Sequence, residues 1–167
     1  MALPDLAALL QTGCLIALAG LLLAAAWQDF RTLHIGNSLS IAIVTLFGAW
    51  AGIGLMAGIY PFTALGLSLA CAAGLFVLGT AAFAVGMFGG GDVKLLAAIG
   101  LFAGPAQLVD LLLVTALAGG LLGVAVLAGA PIGPASSRGE ATLSRKLPYG
   151  PAIATGGLWV ATRLAVG

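Results

Sequence analysis

From Ala7 to Trp27 the chain carries no charged side chain, and about 20 apolar residues in succession are what an α-helix needs to cross the hydrocarbon core of a bilayer. Similar stretches return along the whole sequence. Only 7% of the residues are charged and 62% are hydrophobic, against roughly 25% charged in an ordinary soluble domain. A soluble fold is thereby excluded, and the class expected is all-α: a polytopic membrane helix bundle of about six transmembrane helices. At about 20 residues per span, six helices leave short connections and no room for a separate soluble domain within the 167 residues, so residues 1–167 are expected to form a single transmembrane domain. The first apolar stretch is preceded by Asp5 rather than a basic segment and has no cleavage site before Asp29, so it is expected to be a retained span rather than a removable signal peptide.

The expected spans run from about Ala7 to Trp27, Leu39 to Ile59, Phe62 to Gly86, Asp92 to Gly104, Gln107 to Ala130 and Ala152 to Val166. Asn37 or Ser38 is the expected N-cap of the second, because either side chain accepts a bond from an orphan amide of the first turn. Splitting the fourth and fifth spans at Gly104-Pro105 puts Arg31, Lys94, Arg138, Arg145 and Lys146 on one side and only Arg163 opposite. That is the asymmetry of the positive-inside rule, with both termini outside the cytoplasm and Pro131–Leu147 as the one substantial cytoplasmic loop. Gly48 with Gly52, and Gly119 with Gly123, have the spacing that permits close helix approach. Cys14 and Cys71 lie far apart in apolar segments and read as packing residues rather than metal ligands or a disulfide; no metal or cofactor is called for.

Within so apolar a chain an ionisable group at membrane depth is a functional candidate by default. Asp92 closes the run Met87-Phe88-Gly89-Gly90-Gly91-Asp92-Val93-Lys94, and Asp29 ends the first span; the charge-derived topology puts both at one membrane depth. Asp92 taken alone also suits an N-cap, and Asp29 an interfacial side chain, although the C-terminal end of a helix is unfavourable for a carboxylate. Taken together they form a catalytic dyad: one carboxylate draws a proton from water attacking a peptide carbonyl, and a protonated partner donates to the carbonyl oxygen. Gly89, Gly90 and Gly91 would give the backbone unusual angles and let an extended substrate approach the main chain. Lys94 does not share the helix face of Asp92 and reads as a supporting group. Asp5, Asp110, Glu140 and His34 read as interfacial or solvated.

The Gly89-Gly90-Gly91-Asp92-Val93-Lys94-Leu95 run resembles the GxGD motif of the type IV prepilin peptidases, membrane aspartic proteases. Asp29-Phe30-Arg31-Thr32-Leu33-His34-Ile35-Gly36-Asn37 resembles the segment in which their first catalytic aspartate precedes Ile-Pro-Asn, with Gly36 standing here for the proline. Pro148-Tyr149-Gly150-Pro151-Ala152-Ile153 resembles their last-helix signature. The resemblance implies cleavage, at the cytoplasmic face of a bacterial inner membrane, of the basic leader of prepilins or pseudopilins just ahead of their hydrophobic helix. Asp29 and Asp92 carry over as the catalytic pair, with Gly89, Gly90, Gly91, Lys94, Asn37, Pro148, Tyr149 and Gly150 as supporting or substrate-binding residues. Longer members add a cytoplasmic region with paired CxxC motifs that methylates the new amino terminus. This chain is expected to resemble the short, peptidase-only form of the tight-adherence (Flp-type) pili, without a methyltransferase domain. The partners implied are the pilin precursor and the lipid bilayer, with no nucleic acid. A preflagellin peptidase or another GxGD protease shares the same chemistry. A small proton-coupled transporter would want polar residues in mid-span, and a structural subunit would leave the matched aspartates without a reason.

Overall fold

A computed structural model describes residues 3–130 and 148–166. Among these residues the chain forms five helices and no strand: α1 (Leu3–Thr32), α2 (Asn37–Met56), α3 (Phe62–Ala84), α4 (Gly90–Leu127) and α5 (Gly150–Val166). The first four are long and apolar enough to cross a membrane. The all-helical membrane bundle expected from composition is the fold observed, but six separate helices are not seen. The segments expected as fourth and fifth spans are two limbs of α4, joined at Gly104, whose φ of 51° and ψ of −167° interrupt the helix just before Pro105.

Neighbouring residues show what that interruption does. Along the first limb, Asp92 shares a cavity with Tyr149 and Ile99 lies by Gly157, so this limb runs in the same sense as α5. Along the second, Leu111 and Thr115 lie by Gly156 whereas Gly119 lies by Tyr149 and Ala152, the opposite sense. The chain therefore turns back at Gly104, where a Cβ would stand 3.0 Å from Ser68 Oγ and where the positive φ suits glycine.

The first limb is the centre of the bundle: Leu95 and all residues from Ala97 to Gly104 are buried. It packs along α3, with Gly79 against Val93 and Gly100 against Leu75, a Cβ at either glycine falling 2.7 or 2.6 Å from the facing side chain. Its alternative neighbour is α5, where Gly157 admits Leu22 and Ile99 together. Near the opposite end of the bundle Phe47, Trp50, Tyr60 and Phe102 form a cluster with ring centroids 5.2–6.2 Å apart, and Gln11 of α1 donates to the Trp50 carbonyl at 3.0 Å.

Two local expectations are corrected. The N-cap of α2 is Gly36, with no side-chain cap bond; Asn37 is already helical and its amide oxygen is taken by Lys94. The pair Gly48 and Gly52 meets nothing within 4 Å, so among the described residues it brings no helix close, whereas Gly119 does pack against α5. Cys14 and Cys71 are both free thiols. Glu140, Arg138, Arg145 and Lys146 lie outside the described residues, so the polar loop of the charge argument is not described either.

Candidate active site

Asp29 lies in the last turn of α1 and is 4% exposed. Its Oδ2 accepts a hydrogen bond of 2.7 Å from the backbone N–H of Gly150, the first residue of α5. The first amides of a helix have no partner within it, and the positive end of the helix dipole favours an anion there. Asp29 thus caps a helix 121 residues away in sequence, which resolves the unfavourable position it holds at the end of its own. The contact needs glycine: a Cβ on Gly150 would fall 2.5 Å from Asp29 Cβ and 2.9 Å from its Oδ2, distances at which something must move. Pro148 just ahead is fully buried and helps fix where α5 begins.

Asp92 is held by its own helix. It is the third residue of α4, and its Oδ2 accepts from the N–H of Gly89 at 3.2 Å, closing the first turn much as the acidic residue of a capping box does. The capping and functional readings of Asp92 are therefore compatible. The glycines beside it serve closeness rather than unusual torsion angles. Gly89 has φ −75° and ψ 145°, which any residue adopts, and Gly90 and Gly91 are helical; only Gly86, ahead of the run, has a positive φ. A Cβ on Gly91 would lie 3.0 Å from both Ile35 Cβ and the Ile35 carbonyl oxygen, so glycine there lets the connection between α1 and α2 cross the first turn of α4. A Cβ on Gly90 would make only ordinary contact with the Phe83 ring, 3.6 Å or more away.

Both carboxylates open into one cavity of about 420 Å³, whose other walls include Leu33, Phe83, Met87, Phe88 and Tyr149. The rings of Phe88 and Tyr149 meet at a tilt of 55° with centroids 5.4 Å apart, joining the loop before α4 to the start of α5 across the site. The cavity thus sets two carboxyl groups beside apolar and aromatic side chains in a partly enclosed space, the general make-up of a binding site.

The structure brings together Asp29, Asp92, Gly89, Tyr149 and Gly150, with Gly91 and Pro148 supporting from behind. It does not bring Lys94 or Asn37 to the cavity. Lys94 Nζ donates to Asn37 Oδ1 at 2.9 Å, and both line a separate apolar groove between α2, α3 and the first limb of α4. Five wall residues, Leu33, Phe83, Gly86, Met87 and Phe88, are not among the sequence candidates. Gly86, Met87 and Phe88 adjoin the glycine run and are within reach of its argument, whereas nothing in residue type marks Leu33 or Phe83.

With this geometry in view the comparisons are decisive at the level of family. The sequence model of the type IV leader peptidase family matches residues 16–124, well over half of the chain. The chain belongs to that family. Its members are peptidases, and with four span-capable helices this is a membrane-embedded one. The matched region takes in both aspartates and the glycine run but ends before α5, so the helix that holds Asp29 lies outside it. Comparison with curated proteins and with solved structures gives no match.

Proposed function

We propose that the chain is an aspartic endopeptidase of the bacterial inner membrane, which removes the leader peptide from type IV prepilins or pilin-like precursors at the cytoplasmic face. The observation that carries this reading is the meeting of Asp29 and Asp92, from two separate helices, in a single cavity.

In the reaction a water between the carboxyls attacks the scissile carbonyl carbon. One aspartate, as carboxylate, takes a proton from that water, while the other, as acid, donates to the carbonyl oxygen. The tetrahedral intermediate collapses as its C–N bond breaks, the leaving nitrogen receives the proton held by the base, and the carbonyl oxygen returns its own. Carboxylic acid and amine leave, and the dyad recovers its starting protonation. The bond from Gly150 to Asp29 Oδ2 leaves Oδ1 for this work, and the bond from Gly89 does the same for Asp92. Burial of Asp29 means that its attitude is set before substrate arrives, so little reorganisation is left for the transition state. Arg31 at the same end of the bundle as the aspartates and Arg163 near the other end support a cytoplasmic orientation of the site.

The test is co-expression of candidate pilin precursors with the wild type, Asp29→Asn and Asp92→Asn, following leader loss by mass spectrometry. Each substitution is expected to lower the cleavage rate by about a thousandfold or more, as removal of a group from a concerted catalytic set does. Full cleavage by either variant overturns the dyad.

A further inference from the structure

Every helix that ends in a described turn does so through a residue of positive φ, and three of the four use glycine. Gly58 after α2, Gly86 after α3 and Gly129 after α4 have φ of 71°, 78° and 86°. In each case the next amide reaches back five residues, from Ile59 to Gly54, Met87 to Ala82 and Ala130 to Ala125, at 2.9–3.0 Å, the closure of a Schellman motif. α1 ends differently. Leu33 takes φ 52°, and its N–H donates to the Asp29 carbonyl at 2.8 Å, the single bond of the αL cap.

A side chain at such a position meets the following carbonyl, which is why glycine is favoured there. The chain uses glycine freely, 26 times, so leucine at this one end needs a reason. Packing does not supply it: Leu33 is half-buried and stands outside the hydrophobic core and the residues packed on it. It does line the cavity that holds Asp29 and Asp92. Backbone strain kept at a site of this kind points to use of the residue that bears it.

We propose that Leu33 is a substrate-contacting residue, forming the wall against which an apolar side chain beside the scissile bond is seated. This rests on the peptidase reading given above. Leu33 is joined to Asp29 through the bond that ends α1, so the side chain that seats the substrate and one carboxylate of the dyad belong to one turn. A substrate with a large apolar residue beside the cleaved bond gains from this wall, and one with a small or polar residue there does not.

Cleavage kinetics and thermal unfolding of the full chain in lipid nanodiscs test the assignment, with a pilin precursor as substrate and Leu33→Gly, Leu33→Ala, Leu33→Met and Asp29→Asn as variants. Leu33→Gly is expected to raise the melting temperature by about 2–4 °C through relief at the helix end and yet lower kcat/KM about tenfold, chiefly through KM. Leu33→Ala should lose activity similarly without the thermal gain, and Leu33→Met should recover most of it. Lower stability of Leu33→Gly would make the leucine a packing group and overturn the proposal. So would wild-type cleavage by Leu33→Gly where Asp29→Asn is inactive, and that result leaves the dyad standing. A fully active Asp29→Asn, or a wild type that leaves every precursor intact, overturns both.

Discussion

The two aspartates face one cavity but are held there in opposite ways. Asp92 is oriented by an amide three residues earlier, within the first turn of its own helix. Asp29 is oriented by an amide 121 residues later, on a helix that only packing brings near. One carboxylate is therefore placed by local sequence, and the other by the assembly of α1 against α5. Local placement tolerates changes elsewhere in the bundle; placement across helices is exact only when the bundle is intact, and it makes α5 part of the site although it contributes no reacting group.

The largest effect is expected from one methyl group added at each glycine that serves an aspartate. In Gly150→Ala the new Cβ would meet Asp29 Cβ at 2.5 Å, an atom fixed to the α1 backbone, so a helix must shift. A displacement of about an ångström at a catalytic group costs roughly a hundredfold in rate, and that is the expected fall in kcat/KM. In Gly89→Ala the new Cβ would approach only Asp92 Oδ2, at 2.8 Å, and Cγ, at 3.6 Å. That side-chain tip can rotate away at the loss of one hydrogen bond, and the expected fall is about fivefold. Equal losses from the two substitutions would end the distinction between local and long-range placement.

How far the site can be read in the sequence follows the same division. The bond between Gly89 and Asp92 is legible because its partners are neighbours in the chain. Asp29 is legible as a costly charge, but its partner is not: nothing near it in sequence shows that Gly150 caps it, and the dipole of its own helix argues against a carboxylate there. The sign was present at a distance, in a glycine between Pro148 and Pro151 at a helix start. Leu33 is the least legible, since leucine gives no hint of a positive φ. The reversal at Gly104-Pro105 is marked by residue type, and the two limbs of α4 part at that glycine. Asn37 was expected at a cap for which its chemistry suits it, and the ammonium of Lys94, 57 residues away, takes its oxygen instead.

Stability separates the aspartates more gently. Asp29→Ala leaves the Gly150 amide buried without its acceptor, and the cost is expected near the upper end of the range for lost helix caps, about 2 kcal/mol. Asp92→Ala loosens only a partly exposed first turn, with an expected cost of about 0.5 kcal/mol. Thermal or denaturant unfolding in nanodiscs checks the order. Asp29→Asn retains an acceptor oxygen and should unfold close to wild type while being inactive, which separates the cap from the chemistry. An Asp29→Ala protein as stable as Asp92→Ala would mean that α5 does not depend on the carboxylate.

The smallest effect is expected at Lys94 and Asn37, two residues read as supporting that do not line the aspartate cavity. They bond to each other at 2.9 Å beside an apolar groove. Both are exposed, so each loses little on substitution, and the unfolding free energy of Lys94→Met or Asn37→Ala should stay within about 0.5 kcal/mol of wild type. Because the first turn of α4 is already tied by Gly89 and seated under Ile35, cleavage should change less than it does in Gly89→Ala, in the same kinetic assay. A larger loss in Lys94→Met than in Gly89→Ala would show that the orientation of Asp92 depends on the tie between α4 and α2, and its placement would then be no more local than that of Asp29.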